Sequence, residues 1–368
     1  APRVVGTAIA ADVLDAMRTD GWNHDGARGK RGAPCGANCA RFADTTDYAP
    51  VNAPGRITQR ERYVPLLESD GLGFFYHQAH VTPHIGTAAR PAVLTRAEVD
   101  ARTAPDPQYD LDAERDDAVA RVAALDDELK TRVEFFDNKI ALAGGLIMRL
   151  RDEFKLSLEA QLAYHYGYTS AEADAVILAW KEKVAHDLVR PTTLVQELDD
   201  VTVHSWLPHP HPARDWQAYI RVMPHAEYPS GSSAICKVVA DYVDAFVRAA
   251  YGADTFATTW DFDAGSSSVQ PGVVPAADVT LHYETMAQLA AACGQSRLDG
   301  GMHFAASVPA GEELVVGIGA RAFATIERLL GDSTIGDVVA SGEKFAGCVI
   351  SPICDDDDGD DDEVDSNG

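Results

Sequence analysis

Three short segments of the sequence carry side chains that could bind an anion. In the first segment, residues 180–191, Lys183 and Arg190 are seven residues apart and so share nearly the same face of a helix. Trp180 lies about one turn before Lys183 on that face. A Lys and an Arg on one helix face are most often a solvated surface pair, so this segment alone indicates little.

The second segment, residues 224–234, places the turn Pro229–Gly231 directly before a helical pattern that runs from Ala234 to Tyr251. A Ser-Gly turn that leads into a helix exposes backbone N–H groups at the positive end of the helix dipole, and together these make an anion site. The ordinary alternative is a helix cap formed by Ser232 or Ser233. Taken alone, the segment favours the cap.

The third segment, residues 296–303, separates Arg297 from His303 by a turn that contains Gly300 and Gly301. Such a turn can fold back and bring both side chains to one point. A single histidine is more often a structural or surface residue, so the ordinary interpretation is again favoured for this segment alone.

The order and spacing of the three segments together are far more specific. The pattern K-x6-R-P, then P-S-G, then S-R-x3-G-x-H resembles the signature of the acid phosphatase and vanadium-dependent haloperoxidase superfamily. The matching positions in this sequence are Lys183, Arg190, Pro191, Pro229, Ser230, Gly231, Ser296, Arg297, Gly301 and His303.

The resemblance implies an all-α fold and a pocket for a tetrahedral oxyanion. In that pocket Lys183, Arg190 and Arg297 would supply positive charge, and charge-assisted donors suit an oxyanion. Ser230 and the N–H group of Gly231 would add neutral donors at the start of a helix.

The resemblance allows two chemistries. In a haloperoxidase, His303 binds the vanadium of a vanadate cofactor and Lys183 polarises hydrogen peroxide. A halide ion is then oxidised to hypohalous acid, which halogenates a small organic acceptor. In a phosphatase, His303 attacks phosphorus and a second histidine serves as acid and base.

Two departures from the family pattern affect this choice. Ser232 stands where the acid–base histidine is usual, and Ser307 stands where an aspartate usually orients the last histidine. A hydroxyl is a poor general acid, so serine at position 232 would impair a phosphatase mechanism more than a haloperoxidase mechanism. Ser307 could still hydrogen-bond His303.

Two further positions favour the halogen branch. Trp180 matches a tryptophan of chloroperoxidase-like members, and His225 matches a histidine of the algal bromide oxidisers. His225 could also replace the missing base, or be an ordinary loop histidine. We predict a vanadium-dependent haloperoxidase that favours bromide or iodide over chloride. The alternatives are a soluble acid phosphatase and a degenerate phosphate- or vanadate-binding protein.

Helical periodicity dominates the chain from residue 111 onward, and alternating strand patterns are scarce. We therefore predict an all-α fold of helical bundles with three regions: a loop-rich N-terminal wrap (1–110), a helical catalytic domain (111–354) and an acidic tail (355–368). The helices are predicted at residues 4–17, 112–133, 134–151, 157–166, 171–189, 234–251, 284–293 and 312–330.

The charge of the chain excludes one class of partner. With 57 acidic and 31 basic residues the formal net charge is −26, so nucleic acid is not expected to bind. No apolar stretch is long enough to span a membrane. The resemblance also allows a homo-oligomer.

The six cysteines indicate the redox compartment. Two pairs lie close together in sequence and could form short-loop disulfides: Cys35 with Cys39, and Cys348 with Cys354. Disulfides predict an oxidising compartment, so we expect a secreted or periplasmic protein. Cys236 and Cys293 lie in apolar helical patterns and are predicted to be ordinary core residues.

Overall fold

The computed structural model describes residues 2–35 and 39–339, and about half of the residues are helical. The all-α prediction is confirmed. In chain order, the helices are α1 (Pro2–Met17), α2 (Ile85–Ala88), α3 (Arg96–Ala101), α4 (Leu111–Ala123), α5 (Asp127–Asp137), α6 (Lys139–Phe154), α7 (Leu158–His186), α8 (Pro191–Gln196), α9 (Gly231–Tyr251), α10 (Met286–Asp299), α11 (Ser307–Leu314) and α12 (Ile318–Leu329).

The strands of this part of the chain form short antiparallel pairs: β1 (Leu67–Ser69) with β2 (Phe75–His77), β3 (Thr202–Val203) with β4 (His211–Pro212), and β5 (Thr258–Phe262) with β6 (Val279–Tyr283). None of the described helices is long and apolar enough to cross a membrane.

Helix α9 lies at the centre of the fold and packs against α7, α10, α11 and α12. It begins at a cap, because the Ser230 hydroxyl accepts a hydrogen bond from the N–H of Ser233 at 3.2 Å. It ends at Gly252, which takes a left-handed conformation with φ 68°. Its buried face includes Val239 and Phe246, so the helix that starts at the predicted anion turn is anchored in the core.

Helix α7 is one continuous helix, although the sequence predicted two, at 157–166 and 171–189. Thr169 and Ser170 do not break it because their hydroxyls donate to the carbonyls one turn earlier, at 2.7 and 2.6 Å. Gly167 leaves room for Tyr242 of α9, since an added Cβ would lie 2.4 Å from the Tyr242 hydroxyl. The two longest helices therefore pack closely.

The end of α7 differs from the prediction. The helix stops at His186 because Asp187 takes a left-handed conformation, with φ 47°. Pro191 does not end this helix but begins α8, with Arg190 as its N-cap. Arg190 therefore lies in the short link between two helices.

The predicted helix 134–151 is divided at Asn138, between α5 and α6, and two other predicted helices are divided as well. Residues 112–133 form parts of α4 and α5, separated where Asp126 caps α5 by accepting from the N–H of Leu129 at 2.8 Å. Residues 312–330 are interrupted at Gly317, whose φ of 81° precedes α12. Both breaks are local capping events inside an otherwise helical pattern.

The N-terminal region packs against the link after α7. Asp187 accepts hydrogen bonds from the Tyr48 hydroxyl at 2.6 Å and from the Val51 N–H at 3.0 Å. Backbone hydrogen bonds join Tyr63 to Asp187 and Val189 to Glu61. Asp187 thus has a structural role, and its hydrogen-bond partners are a hydroxyl and an amide.

Two disulfides are present in the described part of the chain. Cys35 and Cys39 are joined, as predicted. Cys236 and Cys293 are also joined, so the prediction of two ordinary core cysteines was wrong. The packing of α9 on α10 brings their Cα atoms to 6.4 Å, which sequence spacing alone does not reveal. The pair Cys348 and Cys354 and the acidic tail lie outside the described residues.

Candidate oxyanion site

A cavity of about 300 Å³ lies at the N-terminal end of α9. Seven of the nine site residues predicted from the sequence line it: Trp180, Arg190, His225, Gly231, Ser232, Arg297 and His303. The other two, Lys183 and Ser230, are fully buried next to it. The structure therefore brings all three sequence segments together.

The start of α9 presents unpaired donors to this cavity. Among the described residues, the backbone N–H groups of Gly231 and Ser232 have no hydrogen-bond acceptor. Such N–H groups at a helix N-terminus bind anions. Ser230, rather than Ser232 or Ser233, caps the helix, so the Ser232 hydroxyl stays on the cavity wall without a partner among those residues.

A carboxylate sets the protonation of His303. Nδ1 of His303 lies 2.8 Å from Oε1 of Glu227, and an ionised carboxylate can only accept, so Nδ1 carries the proton. Glu227 also accepts from the N–H of Phe304 at 3.0 Å and from the hydroxyl of Tyr109 at 3.1 Å. The lone pair of His303 is therefore on Nε2.

The charge state of this pair follows from its burial. Burial, followed by the charges of Arg190 and Lys183, lowers the pKa of His303 well below its ordinary value. Burial raises the pKa of Glu227, and the Ser307 hydroxyl and the same two cations oppose that effect. The imidazole is thus neutral at neutral pH and has one unprotonated nitrogen.

Ser307 does not take the orienting role that the sequence suggested. Its hydroxyl lies 3.0 Å from the Tyr109 hydroxyl, and Glu227, not Ser307, binds Nδ1 of His303. Glu227 was missed, although it is the only acid in the segment 224–234 and lies two residues after His225. That isolated acid beside a cationic motif was the available signal.

Arg190 is almost fully buried and is held by backbone oxygens. Its Nε donates to the carbonyl of His225 at 3.0 Å, and Nη1 donates to the carbonyl of Met302 at 2.7 Å. Nη1 also lies 3.5 Å from Nε2 of His303. Burial lowers the pKa of Arg190 to about 10, so the side chain stays charged beside the histidine.

Arg297, which also lines the cavity, is fixed in a similar way. Nη2 donates to the carbonyl of Val133 at 2.8 Å, Nη1 pairs with Asp137 at 3.1 Å, and Nε donates to the Ser296 hydroxyl. Burial lowers the pKa of Arg297. The end of α5, which no motif marked, thus positions a predicted cation.

Lys183 lies behind the cavity rather than on its wall. Nζ donates to the carbonyls of Ala226, Glu227 and Pro229 at 3.0, 2.8 and 2.6 Å. Burial, and then the charge of Arg190, lowers its pKa well below the ordinary value. In this structure Lys183 holds the loop that carries Glu227 and the cap of α9.

His225 stacks on Trp180 with ring centroids 4.8 Å apart. Nδ1 of His225 lies 2.9 Å from Nη2 of Arg190, and because a guanidinium always donates, Nδ1 must accept. The carbonyl of Ala226, 3.0 Å from the same atom, then receives no proton from it. Burial lowers the pKa of His225, so its free Nε2 carries the proton. This arrangement offers the cavity a donor, which does not favour the role of a base.

Lys139, at the start of α6, lies on the cavity wall and was missed by the sequence analysis. Its Nζ donates to the carbonyl of Phe136 at 3.1 Å and lies 3.5 Å from that of Asp137. Burial, and then the charge of Arg297, lowers its pKa to about 7, while Asp137 and Glu172 oppose the shift. No motif marks this lysine, because helix packing alone brings it to the site.

The residues present fit a tetrahedral oxyanion such as vanadate or phosphate. Four basic side chains and two carboxylates surround the site: Lys139, Lys183, Arg190 and Arg297 against Asp137 and Glu227. Together with the two unpaired N–H groups and the lone pair of His303, this set suits an anion that also accepts a nitrogen ligand. No cluster of three or more His, Cys, Asp or Glu suited to a bare cation occurs in residues 2–35 and 39–339.

An all-α protein with a deeply buried oxyanion pocket is the class that the fold and site define. Residues 163–332 match the family model of the VCPO second helical-bundle domain. No curated protein matches the sequence.

Solved structures extend the comparison over most of the chain. The fold is similar to that of a bacterial vanadium-dependent chloroperoxidase in its holo and apo forms, each with a TM-score of 0.79 and 24% identity. These matches cover 88% of this chain and 72% and 74% of the two relatives. A bacterial vanadium-dependent iodoperoxidase is similar with a TM-score of 0.52 and 17% identity over 73% of this chain and 61% of its own. The chain therefore has the fold of the vanadium haloperoxidases, as the sequence resemblance implied.

Proposed function

We propose that this chain is a vanadium-dependent haloperoxidase, which uses hydrogen peroxide to oxidise a halide and thereby halogenates a small organic acceptor. The observation that carries the proposal is the state of His303. Glu227 holds its proton on Nδ1, so Nε2 offers a lone pair to a pocket with a surplus of positive charge. A neutral imidazole whose second nitrogen binds a carboxylate is the usual state of a histidine that ligates a metal.

Each residue of the pocket has a part in this proposal. His303 would ligate the metal, while Arg190, Arg297 and the N–H groups of Gly231 and Ser232 would bind the oxyanion oxygens. When bound, vanadate supplies Lewis-acid activation of hydrogen peroxide. Trp180 supplies an apolar surface and His225 a hydrogen-bond donor on the same part of the cavity wall, and a halide would approach there.

The halide remains part of the proposal. Bromide or iodide is favoured over chloride because His225 stands at the position of the histidine of bromide oxidisers, and its Nε2–H faces the cavity side without a partner in the described chain.

The two disulfides favour an oxidising compartment, so we also propose a secreted or periplasmic location. Cysteine alkylation in freshly lysed source cells, followed by mass spectrometry, would test this location.

The phosphatase alternative is weaker at one defined step. His303 could attack phosphorus, but the leaving group then needs a general acid. Ser232 occupies the position expected for that acid, and its hydroxyl does not titrate near neutral pH. Replacing Ser232 by His is expected to raise the hydrolysis of p-nitrophenyl phosphate.

The test of the proposed function compares two reactions. The metal-free protein is incubated with orthovanadate, and halogenation of a phenol is then measured with hydrogen peroxide and each halide. Hydrolysis of p-nitrophenyl phosphate is measured in parallel without vanadate. We expect vanadate-dependent halogenation, its loss in His303→Ala, and normal activity in the exposed-histidine control His209→Ala. Hydrolysis without vanadate-dependent halogenation would refute the proposal, and vanadate binding without either reaction would indicate a degenerate binder.

A further inference from the structure

The two lysines of the site differ in how many of their N–H groups already donate to backbone carbonyls. An ammonium has three N–H donors and no acceptor. All three donors of Lys183 are directed to the carbonyls of Ala226, Glu227 and Pro229. Lys183 can therefore donate to a bound anion only by leaving one of these buried carbonyls unpaired, which is unfavourable.

Lys139 has donors to spare. It makes one hydrogen bond of ordinary length, 3.1 Å to the carbonyl of Phe136, and one long contact of 3.5 Å to that of Asp137. At least one N–H is free of a good acceptor, and the side chain lies on the cavity wall together with Ser232, Arg297 and His303. Position and donor count thus both distinguish it from Lys183.

We propose that Lys139 donates a hydrogen bond to an oxygen of the bound oxyanion and acts as the titrating acid of the pocket. The proposal rests on the proposed function for the identity of the anion. In this role the N–H bond of Lys139 breaks as an O–H bond forms on the anion or its ligand, and the neutral amine then takes up a proton from a hydronium ion of the bulk solvent, which leaves water. Lys139 thereby supplies the proton that the acid–base histidine, replaced here by Ser232, would have supplied.

The charges around Lys139 suit this role. Asp137 at the end of α5 and Glu172 on α7 are its anionic neighbours, Arg297 on α10 is its cationic neighbour, and His303 on the same cavity wall is neutral. Because burial and Arg297 lower the pKa of Lys139 to about 7, its ammonium can release a proton near neutral pH. A bound anion would raise that pKa again, so binding would be coupled to proton uptake.

The experiment measures binding rather than turnover. Dissociation constants for orthovanadate and for inorganic phosphate are determined by isothermal titration calorimetry between pH 6 and 9, for wild type and for Lys139→Met, Lys139→Arg and Lys183→Met. We expect Lys139→Met to weaken both anions by about tenfold or more at pH 6, as the loss of a charge-assisted hydrogen bond does. Lys139→Arg is expected to stay within about threefold of wild type at pH 6, since its charge is retained.

The pH series separates a titrating donor from a fixed charge. In wild type the contribution of Lys139 to the affinity is expected to fall as pH rises through 7 to 9, and a further part of the pH dependence comes from the ionisation of the anion itself. That part is common to all variants and cancels in their ratio. Relative to wild type, Lys139→Arg should therefore gain affinity as pH rises, whereas Lys155→Met, an exposed-lysine control added to the series, should keep the wild-type slope.

Chemical labelling provides a second measurement that needs no substitution. Reductive methylation of the intact wild-type protein at pH 7.5, mapped by mass spectrometry, is compared with and without orthovanadate. We expect Lys139 to react and to be protected about tenfold or more by the anion, while the surface lysine Lys155 reacts equally in both. Unchanged labelling of Lys139 would overturn the proposal even if the variants do not fold.

The outcomes separate this proposal from the proposed function. If both anions bind in a way that depends on Lys139 but no halogenation occurs, the role of Lys139 is supported and the haloperoxidase proposal is refuted. If wild type halogenates but Lys139→Met binds both anions within about twofold of wild type, the role of Lys139 is refuted and the haloperoxidase proposal stands. If wild type binds neither anion, both proposals are wrong.

Discussion

At the scale of single residues, the site depends on one buried contact between a carboxylate and a histidine. Glu227 accepts from Nδ1 of His303, and the same carboxylate accepts from Tyr109 and Phe304. Three donors hold the carboxylate in place, and it in turn fixes the ring of the histidine. Such a partner makes the free nitrogen more basic and orients it toward the ligand.

Replacing Glu227 by Gln is expected to weaken orthovanadate binding by about tenfold or more, because a neutral acceptor polarises His303 less than a carboxylate does. Equilibrium dialysis measures the dissociation constant, and the thermal midpoint is recorded to exclude unfolding. Glu159→Gln is the matched control, since Glu159 is an exposed glutamate in the first turn of α7, and its effect should stay within about threefold. An equal loss in both variants would contradict the orienting role of Glu227.

The sequence predicted seven residues that line the cavity, because a motif preserves residue types and spacing along the chain. It did not predict Glu227, Lys139 or Asp137, which reach the site through the packing of α5, α6 and the loop before α9. It also placed Lys183 on the anion, whereas the three carbonyls that Lys183 binds belong to a loop conformation that no spacing rule encodes.

At the scale of elements, the site lies where α9 begins and α10 ends. The N–H groups of Gly231 and Ser232 come from the first turn of α9, and Arg297 comes from the last turn of α10. The Cys236–Cys293 disulfide joins these two helices in the core. The relative position of the N–H groups and the guanidinium therefore depends on a covalent link between their helices.

Removing that link with the pair Cys236→Ala and Cys293→Ala is expected to lower stability by up to about 4 kcal/mol, the loop-closure value for a separation of 57 residues. For a chain of 368 residues this corresponds to a thermal midpoint lower by about 5 °C. The matched control removes the Cys35–Cys39 disulfide, which closes a much shorter loop. Calorimetry measures both.

The two disulfides should also differ in their effect on the site. Loss of the Cys236–Cys293 disulfide is expected to weaken orthovanadate binding a few-fold, because the N–H groups of α9 and Arg297 of α10 lose their fixed separation. Loss of the N-terminal disulfide should leave the affinity unchanged. Equal effects of the two changes on stability and affinity would argue against a specific role for the buried link.

Helical periodicity predicted the all-α class and the course of α9, but not the helix ends. The division at Gly317 and the stop at Asp187 depend on left-handed residues, and the continuity of α7 depends on hydroxyls that bond back to the preceding turn. Periodicity reports which face is buried, whereas the ends depend on local hydrogen bonds that compete with the helix. The sequence did not predict the disulfide between Cys236 and Cys293, because that pairing depends on how α9 packs against α10 and not on the distance between the two cysteines along the chain.

At the scale of the whole molecule, a chain with a net charge of −26 surrounds a pocket with a surplus of buried cations. The outer field repels halide and vanadate, while the inner field attracts them. These two fields act over different distances. Salt screens exposed charges beyond about 10 Å at 0.1 M, but it screens the buried cations next to a bound ion much less.

The association rate of orthovanadate is therefore expected to rise with ionic strength, by a factor of roughly 2–5 between 10 and 200 mM salt. Stopped-flow fluorescence measures it, with a bulky organic sulfonate salt so that the added anion does not enter a cavity of about 300 Å³. A variant that lacks residues 355–368 loses nine acidic residues, which leaves 48 acids against 31 bases and a net charge of −17. Its rate should start higher and rise less. A rate that falls with salt would show that the cations of the pocket, and not the acidic surface, control the approach of the anion.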